Sequence, residues 1–123
     1  MEESKPKFLP PILRLPKRYI VFEVISEKPV GYGDVSAALW ESMLEFLGEL
    51  SSSETRIWFV KNLYSMEKQR GIIKCAHSCV EQVRAAMALV QVVGESKAVF
   101  RVIGVTGTIK SARTKYLGDG HGI

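Results

Sequence analysis

The chain has 123 residues, 46% of them hydrophobic, and a net charge of +4, which suits one domain with a real core. No apolar run approaches the ~20 residues a membrane helix needs, and the opening MEESKPKF lacks the apolar run of a secretory signal, so the expectation is a cytoplasmic protein with no membrane partner. Two cysteines are too few for a disulfide framework.

Residues 1–17 carry four of the five prolines. This predicts an extended arm, because proline disrupts helices and central strands. KRYIVFEVIS then reads as a strand over about 18–26. Ile20, Phe22 and Val24 share one face; Tyr19, Val21 and Ile25 share the other, broken by Glu23. Both faces are substantially apolar, which allows a cover on the second. After the EKPVGYG turn, Asp34 is expected to cap a helix. In that helix Val35, Leu39, Met43, Phe46 and Leu47 repeat at helical spacing, and Glu41, Glu45 and Glu49 form a solvent stripe. Gly48 should weaken its last turn and SSSE should close it. TRIWFVKN predicts a second strand, about 55–61, with Trp58 in the core or facing a partner.

QRGIIKCA predicts a third strand, about 69–76. Ser78 and Glu81 have the spacing of a capping box before a helix that buries Val80, Val83, Met87 and Val90 and ends at Gly94. KAVFRVIGVTG is the fourth strand, about 97–107, and a short helix should start near Thr108. The remainder, 118–123, reads as a flexible tail. The expected fold is α+β: a ferredoxin-like, RRM-like βαββαβ sandwich over 18–117. It has a four-stranded antiparallel sheet, helices on one face, the other face open, and an extra C-terminal helix.

Charge is unevenly spread. Residues 1–59 sum to −2 and residues 60–123 to +6, so the second half suits a polyanionic partner. GTIKSARTKY places Lys110, Arg113 and Lys115 where a helix dipole disfavours cations. An anion held by the first N–H groups of the helix and Lys110 would reverse that sign, with Gly104 and Gly107 permitting close approach or a bulge. The alternative is a solvated short helix on a basic surface. In RGIIKCAH, Arg70 and Gly71 fit the start of the central RRM signature, but Ile72 and Lys74 stand where stacking aromatics belong. What this strand offers is charge, from Arg70 and Lys74 on one face. No catalytic constellation is found. Cys75, His77 and Cys79 fall short of a zinc set and read as thiols beside one histidine, with His121 in the tail.

Three segments carry a resemblance: KRYIVFEVIS, RGIIKCAHSCVEQVRAAMALV, and VIGVTGTIKSARTKYL with its Gly-Thr-Ile-basic core. Together they resemble the archaeal ribonuclease P protein component 2 family, whose eukaryotic relatives serve nuclear ribonuclease P. The resemblance implies a non-catalytic subunit of an RNA-based endonuclease that removes the 5′ leader of precursor tRNA. The RNA would use Mg²⁺, and the protein would bind no cofactor and no metal. The implied partners are the catalytic domain of the ribonuclease P RNA, the barrel-shaped protein component 3 and, indirectly, precursor tRNA. Leftover apolar surface could meet component 3, a second copy of this chain, or its own terminal helix. The expected RNA contacts are Lys110, Arg113 and Lys115, then Arg70 and Lys74, with Lys17 and Arg18 at the arm. Rival readings of the same fold are a small-molecule sensor and a general RNA chaperone.

Overall fold

β1 (Lys17–Ser26) is the strand around which the sheet assembles. Its alternation sends Ile20, Phe22 and Val24 to one side and Val21 to the other, and all four are buried. Burial on both faces requires a covered, central position, and β1 has one. The computed structural model describes residues 16–59 and 63–117. In it, β1 pairs antiparallel with β3 (Arg70–Ala76) on one side and β5 (Ser96–Thr106) on the other. The two-residue strands β2 (Trp58–Phe59) and β4 (Val92–Val93) complete an antiparallel sheet of order β2-β3-β1-β5-β4. Most of the proline arm, the tail, and residues 60–61 of the expected second strand lie outside the described residues. Pro16 accepts a backbone hydrogen bond from His77 at 3.1 Å.

The sheet therefore has five strands, not four. The extra strand replaces the expected end of the second helix. α2 (Val80–Ala88) stops early, and Val92–Val93 pair with Lys97 and Ser96 instead. Gly94 adopts φ +60°, which opens the two-residue turn of this hairpin, a place that favours glycine. Gly94 is a hairpin residue and not a helix stop.

α1 (Tyr32–Glu54) and α2 cover the Ile20–Phe22–Val24 face. Val35, Leu39 and Met43 from α1 and Val83, Ala86 and Met87 from α2 fill the core, and the Ser42 hydroxyl donates to the Ala86 carbonyl at 2.6 Å. Asp34 is not the cap. The helix opens at Tyr32 and Asp34 sits in its first turn, where a carboxylate complements the dipole. Gly48, at φ +83° and ψ 169°, breaks the helix outright. The serines after it do not terminate the helix, which resumes through Glu54. The Ser52 hydroxyl donates to the Met43 carbonyl at 3.0 Å, satisfying backbone near the break. Phe46, expected inside, is 48% exposed.

Arg56 takes a left-handed conformation (φ 54°), which delays the second strand to Trp58. The Ser78–Glu81 capping box does not form. A 3₁₀ turn over His77–Cys79 leads into α2, moving the cap position to Cys79, which makes no side-chain cap bond.

The second face of the sheet is not open. α3 (Ile109–Ala112) and the π-helical turn Arg113–Leu117 lie across it. Ala112 is fully buried against Val21 and Ile72, with Tyr19, Ile103, Ile109 and Tyr116 around them. The expected cap is present: the Ser111 N–H donates to the Thr108 hydroxyl at 3.1 Å. The β1–β5 register shifts between Val21 and Phe22, opposite Gly104 and Val102. Gly104 lies directly under the Tyr116 ring, where a Cβ would come within 2.2 Å of Tyr116 Cζ. Both features foreseen for Gly104, bulge and close approach, occur, but the approaching group is a tyrosine of the same chain.

Candidate nucleic-acid interface

The cations proposed from sequence fall into three places. Lys110, Arg113 and Lys115 point away from the sheet and are exposed. Their direction follows from their neighbours: Ile109, Ala112 and Tyr116 face inward, so the residues between them face water. Lys110 and Arg113, three residues apart, share a helix face. α3 is four residues long, so its dipole is small, and Thr108 already engages the Ser111 N–H. The segment's capacity to hold an anion therefore rests on side-chain charge.

Arg70 and Lys74 share the face that α3 covers, with buried Ile72 between them. They do different things. Arg70 Nε donates to Glu23 Oε2 at 3.4 Å, and Arg70 Nη1 donates to the Tyr116 carbonyl at 3.0 Å. Arg70 thus fastens the C-terminal segment to the sheet. Arg101, missed in the sequence, completes this cluster by donating to Glu23 Oε1 from Nε at 3.1 Å and Nη2 at 2.8 Å. The signal was present in VFRVIGV, but only the β1–β5 register sets Arg101 opposite Glu23.

Lys74 stands opposite Tyr19 on β1 and Trp58 on β2. Burial, and then the nearby Lys17 charge, lower the pKa of its ammonium. Lys17 is exposed and shares this face. Arg18 does not, since alternation turns it toward the helix side, where Nη1 donates to the Lys17 carbonyl at 2.9 Å. The structure therefore brings Lys17, Lys74 and the α3 segment to one face of the sheet and leaves Arg18 on the other. Trp58 belongs to neither core: it is 64% exposed.

Glu23 ionises below its ordinary value of 4.5. The Arg101 hydrogen bonds are the main cause, partly opposed by burial and assisted by the charges of Arg101 and Arg70. A carboxyl with a lowered folded-state pKa contributes stability above its unfolded pKa and loses it as pH falls through the folded one. Glu23→Gln should therefore lower the unfolding free energy at pH 7 by about 0.5–1 kcal/mol for an ion pair of this exposure, read as a lower urea midpoint. As pH falls through the lowered folded-state pKa, the variant and the native chain should converge. A difference that stayed constant from pH 7 down through the acid range would mean the carboxylate's charge is irrelevant.

The two thiols differ. Cys75 is buried on the core side of β3, and burial, then its neighbour Cys79, pushes its pKa up to about 11. Cys79 is half-buried. A disulfide-exchange reagent at pH 8 should titrate one thiol per folded chain and two in denaturant. Two fast-reacting thiols in the folded chain would contradict this packing. Among the described residues no three His, Cys, Asp or Glu are placed to hold a metal ion. No helix among them is long and apolar enough to cross a membrane.

Residues 18–117 match the model of the Rpp14/Pop5 family. The chain belongs to the Rpp14/Pop5 family. It is 42% identical over 116 residues to Ribonuclease P protein component 2 of Thermococcus gammatolerans, covering 94% of this chain and 95% of that protein. Its identity to the protein of the same name from Pyrococcus furiosus is 40%, covering 93% of each chain. For that from Methanosarcina acetivorans it is 39%, covering 92% and 83%. The fold is shared with a chain in the cryo-EM structure of yeast Ribonuclease MRP, at a TM-score of 0.58 and 9% identity, covering 88% of this chain and 96% of that one. The family resemblance read from the three sequence segments is thus borne out. In this Rpp14/Pop5 chain those segments are β1, β3 with α2, and the end of β5 with α3; α2 packs on the first face, and the rest contribute to the second.

Proposed function

We propose that the chain is a protein subunit of a cytoplasmic ribonuclease P, where it binds and stabilises the catalytic domain of the ribonuclease P RNA together with protein component 3. The observation that carries this reading is its similarity, over nearly the whole length of both chains, to archaeal proteins named Ribonuclease P protein component 2. The geometry is consistent with it: a cationic segment rides on an otherwise apolar cover of the sheet. A folded RNA forces phosphates close together, and their repulsion must be offset by cations. Lys110, Arg113 and Lys115 would supply fixed positive charge there, with Lys17 and Lys74 on the same face. The RNA would then reach its active shape at a lower Mg²⁺ concentration. Hydrolysis of the precursor-tRNA leader would be the work of the RNA and its Mg²⁺.

A groove of about 540 Å³ lies at the far end of the β1–β5 pair, where Ile25, Val92 and Val99 are among its lining residues. All three are exposed. A protein partner could use it without competing for the α3 cations. A small molecule in the same groove is the second reading, and it predicts no salt-dependent RNA affinity.

Precursor-tRNA cleavage at low Mg²⁺ tests the proposal, comparing RNA alone, RNA with component 3, and RNA with component 3 plus this chain. Cleavage that appears only with this chain supports it. Equal cleavage with and without the chain, at concentrations where component 3 is folded, would overturn it and favour the groove.

A further inference from the structure

Among the described residues Trp58 joins neither hydrophobic cluster. Phe59, its neighbour on β2, turns toward the core, while Trp58 remains 64% exposed on the edge strand of the sheet. An indole left in water forgoes the burial that usually justifies so large a side chain. Its surroundings are not neutral. Lys74, its cross-strand partner, holds Nζ 5.9 Å from the ring centroid, at the outer limit of a cation–π contact. Lys17 is the diagonal neighbour of Lys74 on the same face, since it pairs with Ala76, two residues beyond Lys74 on β3. Neither lysine has a carboxylate partner among the described residues; the ion pairs there join Arg70 and Arg101 to Glu23, and Arg84 to Glu81. α3 covers the middle of this face over Val21 and Ile72 and leaves the Trp58 corner uncovered.

An exposed aromatic plane beside two ammonium groups that have no carboxylate partner among the described residues matches one ligand chemistry closely: a flat base joined to a phosphate. We infer that Trp58, Lys17 and Lys74 form a subsite for one unpaired nucleotide, the base stacked on the indole and its phosphate drawn to the two lysines. The subsite supplies what β3 lacks, since Ile72 and Lys74 occupy the positions where an RNA-binding sheet usually places its aromatics. The stacking group comes instead from the adjacent edge strand, directly opposite Lys74. An acidic protein partner would satisfy the lysines but would leave the exposed indole unexplained. The inference rests on the RNA-binding reading above and adds to it a contact with an unstacked base.

The test uses this chain with component 3 and the ribonuclease P RNA, and measures affinity across a salt series. Stacking is tolerant of base identity and insensitive to salt relative to phosphate contacts. Trp58→Ala should weaken binding roughly tenfold with its salt slope unchanged. Trp58→Phe should recover most of that loss. Lys17→Ala with Lys74→Ala should flatten the slope by about two units. In a chain labelled with fluorotryptophan, assigned with Trp40→Phe, the fluorine resonance of Trp58 should shift when RNA is added. An affinity for Trp58→Ala within about twofold of native, beside native binding that is intact, overturns the subsite alone. A resonance that shifts with component 3 and no further with RNA also overturns it and assigns the corner to protein. Absence of RNA binding by the native complex overturns the subsite and the proposed function together.

Discussion

Gly104→Ala is expected to unseat the C-terminal segment from the sheet. A Cβ at this position would stand 2.2 Å from Tyr116 Cζ and 2.5 Å from both Cε2 and the hydroxyl oxygen, far inside van der Waals contact. The ring has to give up its place over Gly104, and with it the packing that joins Tyr116 to Val21, Ile72 and Ala112. Overpacking of this kind costs about 1–3 kcal/mol, read as a lower urea midpoint at unchanged slope. The cause can be separated from a general effect of alanine in a strand. Tyr116→Ala removes the obstacle, so the double variant should be less destabilised than the two single losses predict, a coupling between contacting residues. Strict additivity would show that the ring is not what Gly104 accommodates. Since Lys110, Arg113 and Lys115 are carried by the same segment, Gly104→Ala should also weaken RNA binding without removing any charge.

The complementary change removes the charges and leaves the seat. Replacing Lys110, Arg113 and Lys115 together by alanine should lower affinity for the ribonuclease P RNA roughly 100-fold at ~0.15 M salt and flatten the salt slope by about two to three units, if each residue meets one phosphate. Exposed positions of this kind change stability by only about 0.5 kcal/mol each, so the melting transition should stay near that of the native chain. Arg70→Ala should behave differently. It should lose stability as well as affinity, because Arg70 serves Glu23 and Tyr116 before any ligand. An unchanged salt slope in the triple variant would remove the α3 segment from the RNA interface.

The three long strands were legible because β-branched residues alternate cleanly in them, and β3 and β5 begin and end within one residue of expectation. The α3 cap was legible because Thr108 precedes a compact apolar spacing. The β4 hairpin was not. Val90, Val92 and Val93 suit a helix end or a strand, and only the left-handed Gly94 turn decides between them. The serines after Gly48 read as a stop, yet Ser52 reaches back to a carbonyl nine residues earlier, a bond that exists only in the folded helix pair. The second face was recognisably apolar in KRYIVFEVIS, but nothing local identified α3 as its cover.

The same limit applies to the site. Lys110, Arg113 and Lys115 were legible as a cluster of charge at a helix start, but their outward direction follows from the fold, where Ile109, Ala112 and Tyr116 face inward. Arg70 looked like one more ligand for RNA, because its partners come from β1 and from the C-terminal segment, both distant in sequence. Trp58 was ambiguous for a related reason: exposure on an edge strand is decided by which strands pair, and a tryptophan reads the same in either setting.

β1 pairs with β5 from Tyr19–Thr106 to Ser26–Ala98, so the strand at the centre of the sheet joins an early segment of the chain to a late one. Contacts this far apart in sequence close slowly, because the entropy of the intervening loop is lost before they form. On the ribosome, β1 can meet β3, but its other edge stays open, with apolar side chains on both faces, until β5 has been synthesised. Such intermediates are the ones most prone to associate with one another. The cationic segment follows β5 and rests on it. The segment proposed to meet RNA is therefore seated only once β1 and β5 have paired, and a chain lacking β5 would lack part of its seat.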